Sequence, residues 1–214
     1  YRRFAILIPA HNEATVIGPL LDSLNAQKYP REYFDVYVAC DRCTDGTPDI
    51  VRAKGACALL RDDPSRPGKT WNVRWALSQI PLEQYDAVAM FDADNLVAPD
   101  FLARMNDYLE AYPEAEAVQG YLDIKNPDDS WVTRVYALAY WYTNRFWQLA
   151  RFNWGLSATL GGTGLVIRTS CIQRIGWNLK SMTEDLEFST LLVLDGKRVY
   201  WNEWAVTFDE KPVT

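Results

Sequence analysis

The stretch "VAMFDADN" (88–95) ends an apolar run in two aspartates, Asp92 and Asp94, that are one residue apart. The apolar run has the length and composition of a buried strand. Because alternate side chains of an extended chain lie on the same face, both carboxylates are expected to point to the same side if the strand pairing persists. Two like charges held side by side require a counterion. The stretch therefore predicts a cation site at the end of a strand.

Strand-like and helix-like segments alternate through the first half of the chain. The predicted strands are 4–10, 34–40 and 86–92, and the predicted helices are 13–27, 47–55 and 99–112. Strands separated by helices of this length indicate parallel βαβ units. We therefore expect an α/β fold with a doubly wound, mostly parallel sheet.

Polar segments follow each of these three strands. They are "HNEA" (11–14), "DRCTDGT" (41–47) and "DADN" (92–95). In open α/β sheets, ligands lie beyond the carboxyl ends of the strands. The three loops are therefore expected to line one crevice.

Composition excludes several classes of function. The 214 residues are 49% hydrophobic, enough for one sizeable domain with a core. A formal charge of −6 without a dense Lys/Arg run argues against a nucleic-acid partner. No apolar stretch approaches the length of a membrane span, and the start at Tyr1 favours a soluble domain excised from a longer protein.

Cysteine usage is sparse, with Cys40, Cys43, Cys57 and Cys171 in the whole chain. Such usage does not resemble a secreted disulfide scaffold, so a reducing cytosol is the expected compartment. The C-x-x-C formed by Cys40 and Cys43 leaves a redox or zinc site open. A loop position argues against the redox motif, and a chain with a single histidine, His11, argues against zinc.

The second half contains an aromatic segment, 129–154, with Trp, Tyr and Phe at helical spacing and three arginines between them. One interpretation is a helix packed into the core of its own domain. The other is a helix that lies near a membrane surface or lines a sugar path, since aromatic rings combine an apolar face with a polar tip.

Six short motifs occur in a fixed order along the chain: "IPAHNEA", "DRCTDGT", "GKTWN", "DADN", "GGTG" and "TEDLEF". In this order they resemble family 2 glycosyltransferases with the GT-A type fold, and more narrowly the catalytic domains of membrane-embedded polysaccharide synthases of the cellulose and hyaluronan synthase type. The resemblance covers essentially the whole chain. It implies a single glycosyltransferase domain, 1–214, with a nucleotide-sugar-binding half (1–98) and an acceptor-binding and catalytic half (99–214).

The resemblance also assigns roles to residues of the first half. Asp41 matches the aspartate that contacts uracil, and Lys69 matches a lysine that faces the nucleotide diphosphate. A divalent cation, Mn²⁺ or Mg²⁺, is expected on Asp94, because hard oxygen ligands favour these ions together with substrate phosphates. The full set expected to bind the nucleotide sugar is Pro9, Ala10, Asn12, Glu13, Asp41, Lys69, Asp92 and Ala93.

In the second half, Asp185 of "TEDLEF" resembles the general base of inverting family members. Gly162, Thr163 and Glu184 are the residues expected to contact the acceptor. A purely structural interpretation stays open, in which Thr183 caps a helix and the acids favour its positive start. The "GGTG" segment likewise keeps a second interpretation, as a tight turn required by the backbone alone.

The implied activity is metal-dependent transfer, with inversion, from a nucleotide diphosphate sugar, most simply a UDP-sugar, to a glycan or lipid-linked acceptor. The resemblance further implies attachment to the cytoplasmic face of the cell membrane through segments outside this chain. The Gln-x-x-Arg-Trp motif of the polysaccharide synthases is missing, so chain elongation is not implied. The alternatives are a non-catalytic or regulatory nucleotide-sugar-binding domain, and a sugar nucleotidyltransferase. The nucleotidyltransferase requires a Gly-rich first loop, where this chain has "PAHNEA".

Overall fold

A computed structural model describes residues 1–181 and 183–214 and contains one eight-stranded sheet. The strands are β1 (Phe4–Ala10), β2 (Phe34–Asp41), β3 (Cys57–Arg61), β4 (Ala87–Met90), β5 (Leu96–Val97), β6 (Ala117–Ile124), β7 (Leu165–Arg168) and β8 (Val199–Asp209). Their spatial order is β3-β2-β1-β4-β7-β6-β8-β5.

The two ends of the sheet are built differently. Strands β3, β2, β1 and β4 pair in parallel, as the alternation of strands and helices predicts. Strand β7 then runs antiparallel to both β4 and β6, while β6 and β8 pair in parallel. The α/β class is confirmed, and the sheet as a whole is mixed.

Eight α-helices are present in the described residues. They are α1 (Ile17–Asn25), α2 (Thr47–Ala53), α3 (Lys69–Gln79), α4 (Phe101–Ala111), α5 (Trp131–Tyr142), α6 (Ala150–Asn153), α7 (Thr169–Ile175) and α8 (Glu184–Leu194). A π-helical segment, Thr143–Leu149, joins α5 to α6, so that 131–153 is one continuous helical rod.

Helices cover both faces of the sheet. Leu20 of α1 and Leu102 of α4 pack into one apolar cluster, while Val73 of α3 and Phe188 of α8 pack into a second one. The two clusters take opposite side chains of the central strand β1, since Ile6 belongs to the first and Leu7 to the second. This is the doubly wound arrangement that was predicted.

Several expected boundaries differ from the structure. Strand β4 ends at Met90 rather than at 92, so both aspartates of "DADN" lie in the following turn. Helix α1 begins at Ile17 rather than at 13, because the preceding residues bond to the loop after β2. Strand β3 and helix α3 were not predicted at all.

A close approach of three chain segments occurs at Gly120 of β6, where the pairing with β8 shifts register between Gly120 and Tyr121. A Cβ atom at this position would lie 2.5 Å from the carbonyl oxygen of Ala205 and 2.8 Å from that of Gly164. Both neighbours are backbone atoms and cannot rotate away. Only glycine fits here.

The rod 131–153 is the longest helical segment in the described part of the chain. Within residues 1–181 and 183–214, no helix is both long and apolar enough to cross a bilayer. Its inner side carries Asn144 and Gln148, which are buried, while several of its aromatic side chains are exposed. The interpretation of this segment as an ordinary core helix is therefore wrong.

Candidate active site

A cavity of about 490 Å³ lies beyond the carboxyl ends of β1, β2 and β4. Its lining contains most of the residues expected to bind the nucleotide sugar, namely Pro9, Ala10, Glu13, Asp41, Lys69, Asp92 and Ala93, together with the expected metal ligand Asp94. Parallel strands end at one edge of a sheet, which is why loops separated by tens of residues meet here. The predicted crevice exists.

Lys69, the first residue of α3, is the main cation of the site. Its Nζ bonds to Asp92 Oδ1 and to the carbonyl oxygen of Gly162 at 3.1 Å, and it lies 3.8 Å from Glu184 Oε1. Burial alone would lower the pKa of Lys69, but the carboxylates of Asp92, Glu184 and Asp185 more than offset this effect and raise it. The lysine therefore stays charged and is the counterion of Asp92 in this structure, a pairing that the sequence analysis did not predict.

Asp94 lies in a different environment from Asp92. Burial and the nearby carboxylates of Asp209 and Asp92 raise its pKa above the usual value. Asn95 connects Asp94 to Asp209, because its Nδ2 donates to Asp94 Oδ1 at 3.2 Å and to Asp209 Oδ1 at 3.1 Å. Among the ion pairs of the described residues, none includes Asp94. This carboxylate is the place in the cavity where an added cation would be stabilised.

The donor set around Asp94 suits a divalent cation that also binds phosphate. Within 1–181 and 183–214, no three His, Cys, Asp or Glu side chains converge as a complete metal site. Mg²⁺ and Mn²⁺ are commonly held by one or two carboxylates, with substrate phosphates completing the shell. The surroundings of Asp94 fit that mode of binding. Cys40 and Cys43, the residues of the zinc alternative, likewise belong to no group of three potential metal ligands among the described residues.

Asp41 is held by two arginines. Its Oδ1 accepts from buried Arg61 Nη1 at 2.6 Å, and its Oδ2 accepts from Arg42 Nη2 at 3.0 Å. His11 Nδ1 lies 2.6 Å from the backbone oxygen of Asp41. These contacts fix the carboxylate at the end of β2 with its orientation set before any ligand binds.

Among the predicted residues, Asn12 and Thr163 line neither this cavity nor the small pocket next to it. Asn12 adopts a positive φ of 59° and turns its Oδ1 to the backbone N–H of Thr44, 2.8 Å away. Thr163 is buried, and its Oγ1 accepts from Asp92 N at 3.0 Å and donates to Asn95 Oδ1. Thr163 therefore braces the "DADN" turn and does not offer its hydroxyl to a ligand.

Asp185 is not part of the lining of the nucleotide cavity. A small pocket joins it to Gly162, Glu184 and Lys69. A Cβ atom at Gly162, which has a φ of 76°, would lie 3.4 Å from Asp185 Oδ2. The "GGTG" turn and the start of α8 are thus in direct contact, so the expected acceptor and base residues meet next to the cavity.

The start of α8 allows a test of the purely structural interpretation of its acids. Glu184 and Asp185 lie in the first turn, where the helix dipole favours carboxylates. Thr183 precedes the helix, but its hydroxyl lies 3.0 Å from Ser181 Oγ and makes no capping bond to the helix. The helix dipole accounts for acidic residues in the first turn of α8. It does not account for the pocket that these two acids share with Lys69 and Gly162.

Further lining residues were not among the predicted site residues. The C-terminal end of β8 contributes Asp209, Glu210 and Lys211 to the cavity, and α3 contributes Asn72. Asp209 is buried and accepts from Tyr140 Oη at 3.0 Å as well as from Lys211 Nζ. Its only sequence signal was an acidic pair after an apolar alternation, too weak to identify it.

Asn72 is the last residue of the "GKTWN" motif, but it was not among the residues expected to bind the nucleotide sugar. Its Nδ2 donates to the carbonyl oxygen of Ala39 at 2.7 Å, and its Oδ1 has no hydrogen-bond partner among the described residues. A buried acceptor without a partner is costly unless a ligand or water satisfies it. Asn72 is therefore a candidate contact for a polar ligand group.

Known proteins resemble this chain over nearly its whole length. A family model described as "Glycosyltransferase like family 2" matches residues 2–214. The chain is 26% identical over 226 aligned residues to the "Probable glycosyltransferase YdaM" of Bacillus subtilis, covering 99% of this chain and 51% of the relative. It is 30% identical to a "Beta-monoglucosyldiacylglycerol synthase" of Nostoc sp., covering 89% of this chain and 41% of the relative. The chain thus spans about half or less of the length of these curated relatives.

Solved structures show the same fold. The mannosyltransferase PcManGT from Pyrobaculum calidifontis, in complex with GDP-Man and Mn²⁺, superposes with a TM-score of 0.75 at 24% identity, covering 99% of this chain and 58% of that one. The S. aureus TarS fragment in complex with UDP-GlcNAc gives a TM-score of 0.68 at 21% identity, covering 98% of this chain and 59% of that one. The GT-A type fold is therefore confirmed.

Proposed function

The chain belongs to glycosyltransferase-like family 2, and from this premise we propose that it transfers a sugar, with inversion, from a nucleotide diphosphate sugar to an acceptor hydroxyl. The observation that most supports this proposal is the arrangement around Lys69. Lys69 bonds to Asp92 in the nucleotide cavity and also lines the small pocket that contains Asp185, so this one cation is shared by the expected donor site and the expected base. A sugar held near Lys69 would have its diphosphate towards Asp94 and its opposite face towards Asp185.

For the donor, we propose a UDP-sugar. Asp41, fixed by Arg61 and Arg42, keeps lone pairs for a base N–H, and the Glu13 carboxylate suits ribose hydroxyls. Solved relatives are described with UDP-GlcNAc in one case and GDP-Man in another, so the family accommodates more than one base. Pro9, Ala10 and Ala93 supply the apolar wall of the donor site.

We propose that Asp94 holds Mn²⁺ or Mg²⁺. A bound divalent cation would neutralise the diphosphate and so stabilise the leaving group. Lys69, which bonds to Asp92, would add a second positive charge facing the diphosphate. Support comes from the raised pKa of Asp94, which reflects burial first and then the neighbouring carboxylates of Asp209 and Asp92.

The proposed chemical step uses Asp185 as the general base. Its carboxylate takes the proton from the acceptor hydroxyl while that oxygen forms a bond to the anomeric carbon. The bond between the anomeric carbon and the diphosphate oxygen breaks on the opposite face. Glu184 and the Gly162 turn border the space in which the acceptor would approach. The acceptor class is a glycan or a lipid-linked molecule, and the second of these is suggested by a relative named for a diacylglycerol product.

The alternatives have less support. A non-catalytic or regulatory domain would not need Asp185 beside the pocket, and a nucleotidyltransferase would need a Gly-rich first loop in place of "PAHNEA". For the location we propose the cytoplasmic face of the cell membrane, reached through segments outside this chain. The four free cysteines and the cytosolic supply of nucleotide sugars support that side.

The proposal is tested with Asp185→Asn in the full-length protein and a panel of radiolabelled nucleotide sugars. We expect UDP affinity, measured by calorimetry, to stay within about twofold, and transfer to fall roughly 10²-fold or more, because only the proton acceptor is lost. Asp195→Asn, the same change at the exposed position after the other end of α8, is the matched control and should leave both quantities unchanged. Near-normal transfer by Asp185→Asn would refute the role of the base.

A further inference from the structure

The rod 131–153 has the opposite polarity from a helix on a water-exposed protein surface. Its outer aromatic face, defined here as Trp131, Val135, Leu138, Tyr142 and Phe146, is between 55% and 77% exposed at every position. Successive spacings of four and three residues place these side chains on one side of the rod. A contiguous apolar patch of this kind on a protein surface marks an interaction site.

The inner side of the same rod is polar and fully engaged with the domain. Asn144 Nδ2 donates to the carbonyl oxygen of Leu122 at 2.8 Å. Gln148 Nε2 donates to the carbonyl oxygen of Thr159 at 2.8 Å, and Gln148 Oε1 accepts from Thr159 N at 2.9 Å. These hydrogen bonds attach the rod to the domain from inside. The outer aromatic face is therefore not needed to hold the helix in place.

The charges on the rod are all of one sign. Residues 131–153 contain Arg134, Arg145 and Arg151 and no Asp or Glu, in a chain with a formal charge of −6. The side chains of Arg134 and Arg145 are about two-thirds exposed, and their nearest acids lie 3.7 Å and 3.9 Å away. Exposed ion pairs at these distances contribute little to stability. The arginines are thus available to an external anion.

A third arginine of the rod lies against an exposed ring. The Arg151 guanidinium lies 4.7 Å from the ring centroid of Trp147, which is 48% exposed. Aromatic rings interleaved with arginines are typical of helices that lie in the headgroup region of a bilayer.

From these observations we infer that the outer aromatic face lies flat on an anionic lipid bilayer, with the arginines on lipid headgroups and the rings at the level of the upper acyl chains. This surface belongs to the chain itself and goes beyond the proposed transfer reaction. A second copy of the chain is a poor occupant, since a symmetric contact would bring the arginines of two rods together without an acid on either. A neutral membrane-spanning helix would leave the same arginines unpaired.

The inference is tested by co-sedimentation of the 214-residue chain with phosphatidylcholine vesicles, with and without phosphatidylglycerol. We expect binding to the anionic vesicles that weakens as salt is raised, and at least roughly tenfold weaker binding to neutral ones. Trp131→Ser/Leu138→Ser/Phe146→Ser and, separately, Arg134→Glu/Arg145→Glu should each reduce binding to anionic vesicles by roughly tenfold or more. Leu194→Ser, which removes an equally exposed apolar side chain elsewhere, should not change it.

Circular dichroism and UDP calorimetry on each variant separate loss of docking from loss of folding or of nucleotide binding, because all substituted side chains are exposed. If the proposed transfer reaction is wrong, vesicle binding is still expected. If vesicle binding is absent, the proposed transfer reaction is unaffected. Absence of binding to anionic vesicles, equal binding to neutral ones, or unchanged binding in both multiple variants would overturn the inference. So would a dimer that the aromatic substitutions dissociate.

Discussion

Lys69 has an unusual number of acidic neighbours for one ammonium group. It bonds to Asp92 and lies near Glu184 and Asp185, which are contributed by two separate parts of the chain. Removing its charge would leave these carboxylates close together without compensation. We propose that the residue both holds the site together and receives a phosphorylated ligand.

We predict that Lys69→Met weakens UDP binding by roughly tenfold or more, which corresponds to about 1.4 kcal/mol. Isothermal titration calorimetry with Mn²⁺ present measures this directly. Lys54→Met is the matched control, because Lys54 pairs with exposed Asp22 at 2.7 Å, far from the cavity. Equal affinities of Lys69→Met and the parent protein would remove the lysine from the donor site.

A second prediction concerns the metal. If a cation bridges Asp94 and the diphosphate, then Asp94→Asn, or addition of a chelator to the parent protein, should each weaken UDP binding by roughly tenfold or more. The two changes together should be no worse than either alone, because both remove the same bridge. Affinity that survives both treatments would show that Asp94 is not a metal ligand.

A third prediction uses the ion pairs of Glu116, a residue remote from the site. Partial burial would raise the pKa of this carboxyl, but Arg174 and Lys197 outweigh it and hold the pKa below the ordinary 4.5. A depressed folded-state pKa contributes stability at neutral pH that is lost as the pH falls from about 4.5 through the lowered value. Glu116→Gln should therefore lower the free energy of unfolding by up to about 1 kcal/mol at pH 7. In urea titrations the difference should vanish at acidic pH, and a difference that persists there would contradict this assignment.

At this scale the sequence predicted the cavity residues that belong to motifs, such as Asp92, Asp94 and Lys69. It did not predict Asp209, which reaches the cavity because β8 pairs with β6 across the sheet. That contact depends on a long-range pairing that no local pattern encodes. Asn12 is the converse case, since its motif suggested a ligand contact but its side chain satisfies a neighbouring backbone N–H.

The elements show where local patterns are sufficient. Strands β1 and β2 lie in the sheet interior with continuous apolar runs, and both were predicted almost to the residue. Strand β3 is at the edge of the sheet, with exposed and half-buried side chains, and its five residues gave no apolar periodicity. Helix α3 was missed because its polar and apolar side chains do not separate into two faces. Only contacts with the sheet define its inner side.

A prediction at this scale contrasts two glycines. Gly120→Ala should destabilise the protein by roughly 3 kcal/mol, because the added methyl group meets two backbone carbonyl oxygens. Gly18→Ala in α1 has open space around its Cβ and should raise the free energy of unfolding by about 0.5–1 kcal/mol. Guanidinium unfolding of both variants measures these changes, and a neutral effect of Gly120→Ala would mean that the β6–β8 register can adjust.

At the scale of the whole molecule, the candidate site draws on both halves of the chain. Asp41 and Lys69 come from the first half, and Asp185 and Asp209 come from the second. Strand β4 pairs with β7, so the sheet runs without a break from one half to the other. We propose that residues 1–214 unfold as one domain.

This proposal predicts a single thermal transition with the same midpoint by far-UV circular dichroism and by tryptophan fluorescence. UDP with Mn²⁺ at 100 times its Kd should raise the midpoint, since it adds about 2.7 kcal/mol to the folded state. Calorimetry checks both statements. Two resolved transitions, with only the first half responding to nucleotide, would instead indicate two independent units.

The overall class could be predicted because alternating strands and helices leave few arrangements open. The mixed second half could not, because β7 enters between β4 and β6 from a distant part of the chain. The periodicity of the aromatic rod is the same whether its rings face the domain or the solvent. The orientation follows from the hydrogen bonds of Asn144 and Gln148, which place the amide side of the rod against the domain.

The crowding at Gly120 also constrains how this protein can change over generations. Single-base changes in a glycine codon encode Ala, Val, Ser, Cys, Asp, Glu, Arg or Trp, and each of these residues adds at least one carbon atom where two carbonyl oxygens leave no room. Every missense mutation at this codon therefore meets the same steric conflict, whichever ligand the site binds. Descendants of the gene can vary the surrounding loops, while this codon is expected to accept only synonymous changes.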